Sequence, residues 1–459
     1  MDFSSLKKSK CKKLIFRSPQ YKKIKYMLQF STLRFFIILF LIALLSCNSS
    51  NLKKVDGDNI LRIELCSPKN DINYLYASEL VSNIEYVALE TSTQYLINGY
   101  PLVDISDNYI LTSGNTHCLL FSRQGKFIRQ IGSKGQGTEE YASDIRMVTI
   151  DEKSGMIYIA TLYELLAFRI SGEFVKKLNL YEFIKSHKIS TYPPKNITYW
   201  KDNMFCANID LNTGNEPYRF VIFSLDGNVI KLFPNYIKFE IEGGDFIMNG
   251  INDFADIYFY NGQLRFREQA SDTLFCLTNQ LELVPEIIFD LCGRNIPTNM
   301  RGKYFANRNS YTCIYSMIEI QSHIFLDCKF GDKSSPDLPE NQELWYDKNN
   351  NKLTILKRDF LGQQRSTSEA INIFRQGIIN DIDGGYDFFP TYQMAHIQNN
   401  QQLVCKICQP SDLLGDLTEK HFASKEIKNK EANDRLRNLL KNLKEKGGDN
   451  PVLMIATFK

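Results

Sequence analysis

Five segments of this chain place an aromatic residue four positions before a Gly or Asn, with a β-rich stretch behind it. They are Phe121 to Gly125 before KFIRQI, Phe168 to Gly172 before EFVKKL, Phe223 to Gly227 before NVIKLF, Phe275 to Asn279 before QLELV, and Trp345 to Asn349 before NNKLTIL. A weaker sixth runs from His396 to Asn400 before QQLVCKI. Each reads as a hairpin: a strand ending near the aromatic, a tight turn in which Gly or Asn supplies the positive φ, and a return strand. The six turn residues span 275 positions in five steps, a mean of 55. Most hairpins follow another strand-like run, at 107–113, 155–161, 202–209, 262–268 and 323–329. Three to four strands per repeat is the content of a β-propeller blade. Six such units need about 330 residues, and positions 80–410 supply them.

A chain of 459 residues would otherwise suggest about three domains. The repeat replaces that expectation with one all-β, six-bladed disc at 80–410. Aromatic usage agrees, with 31 Phe and 24 Tyr against 2 Trp, a bias towards strands. The run IEYVAL at 84–89 precedes the first full repeat, and its natural partner is the incomplete last repeat, which closes the ring. In the remaining stretch, 411–459, Leu436, Leu439, Leu440 and Leu443 form one apolar helical stripe that Gly447-Gly448 ends. Pro451-VLMIATF then reads as a last strand added to an outer blade edge, with the helix packed on the disc.

The start of the chain carries an address. Phe35 to Leu45 is an eleven-residue apolar run, too short to span a bilayer and right for a signal-peptide core. Ser46-Cys47 follows, so LLSC reads as a lipobox: residues 1–46 are a signal peptide, and Cys47 is the lipid attachment site. Met27 would give a leader of ordinary length. A plain uncut anchor is the competing reading. Residues 47–79 are the lipidated Cys, a polar tether over Asn48–Asn59, and a lead-in. Lipidation of this kind gives stable anchoring, so the expected place is the cell envelope, at the outer membrane, with either face open.

Charge and cysteine usage exclude other classes. Positions 1–46 hold ten Lys/Arg and one acidic residue, leaving 45 basic and 51 acidic residues in the rest. A net charge of −6 over the folded part disfavours nucleic acid as a partner. Beyond Cys11 and Cys47, nine Cys are thinly spread, several within apolar runs. This reads as small core residues rather than a disulfide framework. Cys405 and Cys408, three apart on a strand, point to opposite faces and are poorly placed to pair or to share a metal.

Several motifs carry a resemblance. Gly125-Lys126-Phe127-Ile128 runs into Ile131-GSKGQG and Glu140-Tyr141, with Thr138-Glu139 where Pro-Gly is usual; Asp272-Thr273-Leu274-Phe275, Asp381-IDGG with Phe388-Phe389-Pro390, and Asp449-Asn450-Pro451-Val452-Leu453 complete the set. In these, residues 80–459 resemble the six-bladed β-propeller lipoproteins abundant in Bacteroidota, related in shape to NHL-repeat propellers. The resemblance implies the fold and the envelope location, and it supplies no catalytic residues.

The chemistry is sparse. Gly132, Gly135 and Gly137 are not in a phosphate-loop order and open no helix, so they read as an inter-blade connection. Asp210-LNTG-Asn215 and Asp347-KNNN lack the Gly and Glu of a calcium loop. No nucleophile elbow, HExxH or Walker motif occurs, and the five His are scattered. The best site candidate is Asp381, Asp383, Tyr386 and Phe388, carboxylates beside aromatics that suit a glycan; an acidic turn before a core strand is the competing reading. Lys134 and Tyr141 in the GQG loop are weaker candidates. We therefore expect a non-enzymatic binding or scaffolding module for a glycan or an envelope protein, without a cofactor. The alternative is a metal-assisted hydrolase or lyase in the propeller channel.

Overall fold

Six four-stranded antiparallel meanders succeed one another around a ring. The structure, a computed structural model, describes residues 60–459 apart from 67–70, 93–94, 98–100, 115–116, 195, 242–254, 269, 302–309, 332–340, 358–376, 392–394 and 399–400. Cys47, the leader, the tether and Asn400 lie outside the described residues. Blade 1 is Leu102–Ile105, Tyr109–Ser113, Cys118–Ser122 and Phe127–Gln130; blade 2 is Ile145–Asp151, Met156–Thr161, Glu164–Arg169 and Phe174–Asn179. Blade 3 is Asn196–Lys201, Met204–Asn208, Tyr218–Ser224 and Val229–Pro234; blade 4 is Ala255–Tyr260, Gln263–Glu268, Thr273–Leu277 and Leu283–Asp290. Blade 5 is Cys313–Glu319, His323–Lys329, Asn341–Asp347 and Lys352–Leu356. Blade 6 combines Ala395–Gln398, Gln401–Cys408 and Val452–Phe458 with the early strand Val81–Ala88. First strands of neighbouring blades lie against one another, so they surround the axis and the fourth strands form the rim.

The apolar runs have a direct cause. Middle strands are covered on both faces by adjacent blades, so they cannot alternate polar and apolar residues. In blade 2, Ile157 to Ala160 and Leu165 to Phe168 are all buried. The repeat's aromatic packs edge-on against the return strand, with ring centroids 5.7 Å apart for both Phe121–Phe127 and Phe168–Phe174. Gly125, Gly172 and Gly227 take φ of 81°, 89° and 81° at the hairpin tips, where a side chain would be strained.

The first described segment is a belt. Leu61–Glu64 adds a parallel fifth strand outside blade 4, and Ile72–Asn73 does the same outside blade 5. The four-residue helix Ala77–Leu80 then leads into Val81–Ala88, the outermost strand of blade 6. A disulfide between Cys66 and Cys292 fastens the belt to blade 4. The last helix, Lys430–Lys446, packs on Val81–Ala88, burying Leu436, Leu440 and Leu443, with Leu439 beside them. It begins at Asn429, which accepts from the Ala432 N–H at 3.0 Å, and ends at Gly447, φ 71°.

Four sequence expectations change. In blades 4 and 5 the positive φ falls on Leu281 and Asn351 rather than on Asn279 and Asn349, because the turns there close two residues later. The sixth repeat joins the first two strands of its blade, not the last two; the corresponding last pair, Val452–Phe458 with Val81–Ala88, has no covalent turn. The terminal strand is consequently an interior strand, flanked on both sides, rather than an addition to an outer edge. The cysteines are not all core residues: Cys66 and Cys292 are bonded, while the other seven in the described residues, Cys405 and Cys408 included, are buried.

Candidate functional site

Strand direction divides the disc into two unlike faces. In each antiparallel blade, the links between first and second and between third and fourth strands emerge at one end. These turn-face links, such as 106–108, 123–126, 202–203 and 278–282, have two to five residues. The other end carries the links between second and third strands and between blades. It includes 131–144, 180–195, 209–217, 291–312, 357–394 and 409–451. Every candidate ligand-binding residue read from the sequence sits in connections of this loop face, Lys134 and Tyr141 between blades 1 and 2, and Asp381 to Phe388 between blades 5 and 6. The two groups stand on separated connections.

The GQG connection is closed around its own anion. The Glu140 carboxylate accepts from the Gly137 N–H at 2.8 Å, and lies where a Cβ on Gly135 would have to go. Lys177 covers the loop, donating to the Gly137 and Glu140 carbonyls at 3.1 and 2.6 Å and pairing with Glu164. Tyr141 is fully buried, and burial raises its hydroxyl pKa; Lys134 pairs with Asp144 at 2.8 Å. This connection locks blade 1 to blade 2, as expected of an inter-blade link.

The Asp381 loop is a clasp. Asp381 and Asp383 are each only 1% exposed and Phe388 is 2%. Asp381 accepts from the Ser78 N–H at 2.8 Å and from its hydroxyl at 2.6 Å, and pairs with Lys428 at 2.7 Å. Burial alone would raise its pKa, but Lys428 and Ser78 outweigh burial and hold it below the usual range. Asp387 takes Lys425 at 2.9 Å, Tyr386 donates to Asp416 at 2.8 Å, and the Asp383 carbonyl accepts from Asn433 at 2.7 Å. The Lys428 and Asn429 N–H groups donate to the Asp381 and Ile382 carbonyls, both at 2.8 Å. The acidic residues therefore bind the chain's own N-terminal turn and C-terminal helices. They position those elements and present no open carboxylate to a glycan.

Asp383 differs from Asp381. Its Oδ1 accepts from Asn380 at 2.6 Å and from the Gly385 N–H at 2.8 Å, while Oδ2 is buried without a partner, as is the Tyr86 hydroxyl nearby. Burial, only partly offset by those bonds, pushes its pKa up to about 6. A carboxyl raised in the folded state contributes stability at low pH that is lost as pH rises from its unfolded value through about 6. Asp383→Asn keeps an acceptor for both bonds and removes the buried charge. We expect it to unfold like the parent at about pH 3.5, below the unfolded carboxyl's titration, and to be more stable by about 1–3 kcal/mol at pH 7.5. Urea titrations at the two pH values check this; an equal difference at both would refute the assignment.

A feature with no sequence motif lies on the same face. Four tyrosines are prominently exposed: Tyr163, Tyr181, Tyr192 and Tyr236, the last at 86%. Tyr163 links the second and third strands of blade 2, Tyr181 and Tyr192 lie between blades 2 and 3, and Tyr236 follows blade 3. The helix Leu180–Ser186 buries Leu180, Phe183 and Ile184, which turns Tyr181 and Lys185 outward at helical spacing; Lys185 Nζ stands 5.6 Å from the Tyr181 ring centroid. The Leu180 N–H donates to the Tyr163 carbonyl at 2.7 Å and brings the two connections together. Among the described residues, the one group of three metal-type donors that converges is Glu64, Cys66 and Cys292, at the rim, where both sulfurs are in the disulfide. The channel ligands expected of a metal-assisted enzyme are not gathered in the described residues.

The sequence matches one family over residues 62–457, described as a domain of unknown function (DUF4934). No curated protein matches it. Among solved structures, a Bacteroides fragilis protein whose name proposes export is 16% identical, with a TM-score of 0.57, over 87% of this chain and 99% of that one. This shows the shared fold. Virginiamycin B lyase of Staphylococcus aureus is 11% identical with a TM-score of 0.34, over 61% of this chain and 75% of that one. The type-IX secretion component PorZ of Porphyromonas gingivalis is 7% identical with a TM-score of 0.32, over 59% and 29%. Neither of these two enters the argument.

Proposed function

The chain belongs to the DUF4934 family, and on that premise we propose that it is an exported, lipid-anchored propeller acting as a binding or scaffolding module of the cell envelope, of the NHL-like lipoprotein kind found in Bacteroidota. The observation that carries the binding role is the gathering of the exposed tyrosines on the loop face of blades 2 and 3. Tyrosine offers a large stacking surface and a hydroxyl at small entropic cost, which suits a glycan ring or a partner protein. Export is supported by the Cys66–Cys292 disulfide, since such bonds persist in oxidising compartments. Among the described residues no helix is long and apolar enough to cross a membrane, so attachment rests on LLSC at 44–47.

Two measurements test this. Intact mass of the membrane-extracted protein is expected to fit a chain starting at Cys47 with acyl groups, and Cys47→Ser is expected to abolish both processing and lipid; an unlipidated parent would end the anchor reading. A glycan array and an envelope pull-down, run with the parent and with Tyr163→Ala/Tyr181→Ala/Tyr192→Ala/Tyr236→Ala, test the face. The variant is expected to lose at least about tenfold in affinity for what the parent binds. Undiminished binding by the folded variant would remove this face from the proposal.

A further inference from the structure

Two arginines on the loop face meet over one carboxylate. Arg219 lies at the loop-face end of the third strand of blade 3, Tyr218–Ser224. In the pairing with Val229–Pro234, Tyr218 stands opposite Pro234 and Phe220 opposite Phe233, so Arg219 is the extra residue of a β-bulge. Successive strand residues point to opposite faces, and a bulge re-aims one of them. Arg219 therefore turns to blade 4 together with Phe220, whose ring centroid is 4.6 Å from that of Phe266. The Arg219 guanidinium carbon lies 5.3 and 5.2 Å from the ring centroids of Phe266 and Phe275, and Nη2 donates to Glu268 at 2.9 Å. Glu268 ends the second strand of blade 4, and its side chain is 7% exposed. Arg301 stands in the connection from blade 4 to blade 5. Burial holds its pKa below the usual value; Glu268 works against that, and the neighbouring Arg219 adds to it. The Arg301 guanidinium makes one hydrogen bond among the described residues, from Nη2 to the Ala270 carbonyl at 3.0 Å.

Three nitrogens of this pair, Arg219 Nε and Arg301 Nε and Nη1, are buried without an acceptor among the described residues. A buried donor left unmade is costly, and more so on a charged group. From this arrangement we infer that the loop face between blades 3 and 4 takes a single carboxylate, and that the ligand carrying it is a uronic acid unit of an acidic oligosaccharide. Glu268 offsets one of the two cations, and Asp272 has its oxygens engaged by Thr273 and Asn295 at 2.8 and 2.7 Å. A monoanion balances the remaining charge, whereas a phosphate dianion would exceed it. Arg301, tethered by one bond, is free to turn its other N–H groups to an incoming oxyanion, and such charge-assisted bonds are the strong ones. A run of acidic side chains would instead need several exposed cations in a row. The exposed charges beside the tyrosines are mixed, Glu182 and Glu240 with Lys185, Lys188 and Lys238. The choice of a sugar rests on the reading of the tyrosines as a stacking face. Tyr236 belongs to the adjoining connection: the Asn235 N–H donates to the Pro217 carbonyl at 2.9 Å, two residues before Arg219.

The test separates the carboxylate site from the tyrosine face. The full chain is titrated calorimetrically with a panel of uronate-bearing oligosaccharides, each beside its carboxyl-reduced counterpart, and with acetyl-tetra-aspartate amide as a peptide probe. The uronate form is expected to bind at least about tenfold more tightly than the reduced form. Arg301→Ala and Arg301→Gln, each checked for an unchanged thermal melt, are expected to erase that difference and to keep the parent's affinity for the reduced form. Arg219, wedged between two rings of blade 4, is left in place. The four-tyrosine variant is expected to weaken both forms together. Equal binding of the two forms, a preference that survives in the folded Arg301 variants, or no uronate bound at all would overturn the carboxylate site; reduced saccharide still bound would then leave the tyrosine face standing. Arg301-dependent binding of the peptide in preference to the uronates would overturn the choice of a sugar. A carboxylate preference with affinities untouched in the tyrosine variant would instead refute the face and keep the site.

Discussion

Reducing the protein, or replacing Cys292 by Ser, is expected to lower its stability by several kcal/mol and to free the belt without dissolving blades 1–3. The bond joins positions separated by 226 residues. A loop of that length, in the chain-entropy account, carries about 5 kcal/mol of denatured-state restriction, an upper figure because denatured chains retain structure. The folded state adds a local reason. Leu61–Glu64 makes only a four-residue parallel pairing on blade 4, and Ile72–Asn73 only two residues on blade 5, with Lys352 paired to Asp71 at 2.5 Å. Strands this short do not hold an edge unaided. Their release would uncover Ile287-Ile288-Phe289 on blade 4, an apolar edge, where the uncovered outer strands of blades 1–3 carry Arg129, Lys176, Lys177 and Lys231. Charged residues on an edge oppose pairing with another chain, and along Ile287-Ile288-Phe289 blade 4 has none, its outer strand carrying only Glu286 before and Asp290 after them. We therefore expect the reduced or Cys292→Ser protein to melt about 5 °C lower, and to self-associate with time. Calorimetry with and without dithiothreitol, followed by size exclusion, checks both. A melting temperature insensitive to reduction would show that the belt is held by its other contacts.

What was legible in the sequence follows the range over which each feature acts. Phe121 with Gly125, Phe168 with Gly172 and Phe223 with Gly227 are local pairs, and a hairpin is specified within a few residues, so blades 1–3 could be read directly. The ring closure was legible because the run at 84–89 had no partner of its own. The sixth turn was not, since His396 and Asn400 resemble the other signals while the true third-to-fourth pairing joins Val452–Phe458 to Val81–Ala88 without a turn. The Asp381 loop shows a further boundary. Asp and Gly within a short segment suit an exposed turn and a buried clasp equally, and the groups that decide between them lie far away: Ser78 is 303 residues from Asp381. Cys66 and Cys292 were hidden for the same reason. The tyrosines of the loop face carry no motif, because connections share a face only through the direction of the strands between them.

Ending the chain after Gly448 is expected to abolish cooperative folding, and ending it after Phe458 to leave the fold intact. The difference is Val452–Phe458, with which blade 6 becomes a sheet. Six of its seven residues are buried, all but Thr457. It pairs with Gln401–Cys408 on one side and with Val81–Ala88 on the other, registers running from Val452 opposite Cys408 and Ala88 to Thr457 opposite Leu403 and Asn83. Burial of Val452, Leu453, Met454, Ile455 and Phe458 at about 2 kcal/mol each amounts to about 10 kcal/mol, as large as the whole net stability of an ordinary fold. Its loss also detaches Val81–Ala88, and with it the seat of the Lys430–Lys446 helix and the Ser78 end of the Asp381 clasp. The ring then opens within blade 6, between Gln401–Cys408 and Val81–Ala88, exposing unpaired strand edges on both sides of the gap. The shorter truncation removes Lys459 alone, whose N–H donates to the Leu80 carbonyl at 2.9 Å and whose Nζ donates to the Ser78 carbonyl at 2.8 Å, a loss of about 1–2 kcal/mol. Far- and near-ultraviolet dichroism with thermal melts distinguishes the outcomes. A chain ending at Gly448 that still melts in one sharp transition would show that five blades close without the terminal strand, and that the ring does not depend on pairing its two ends.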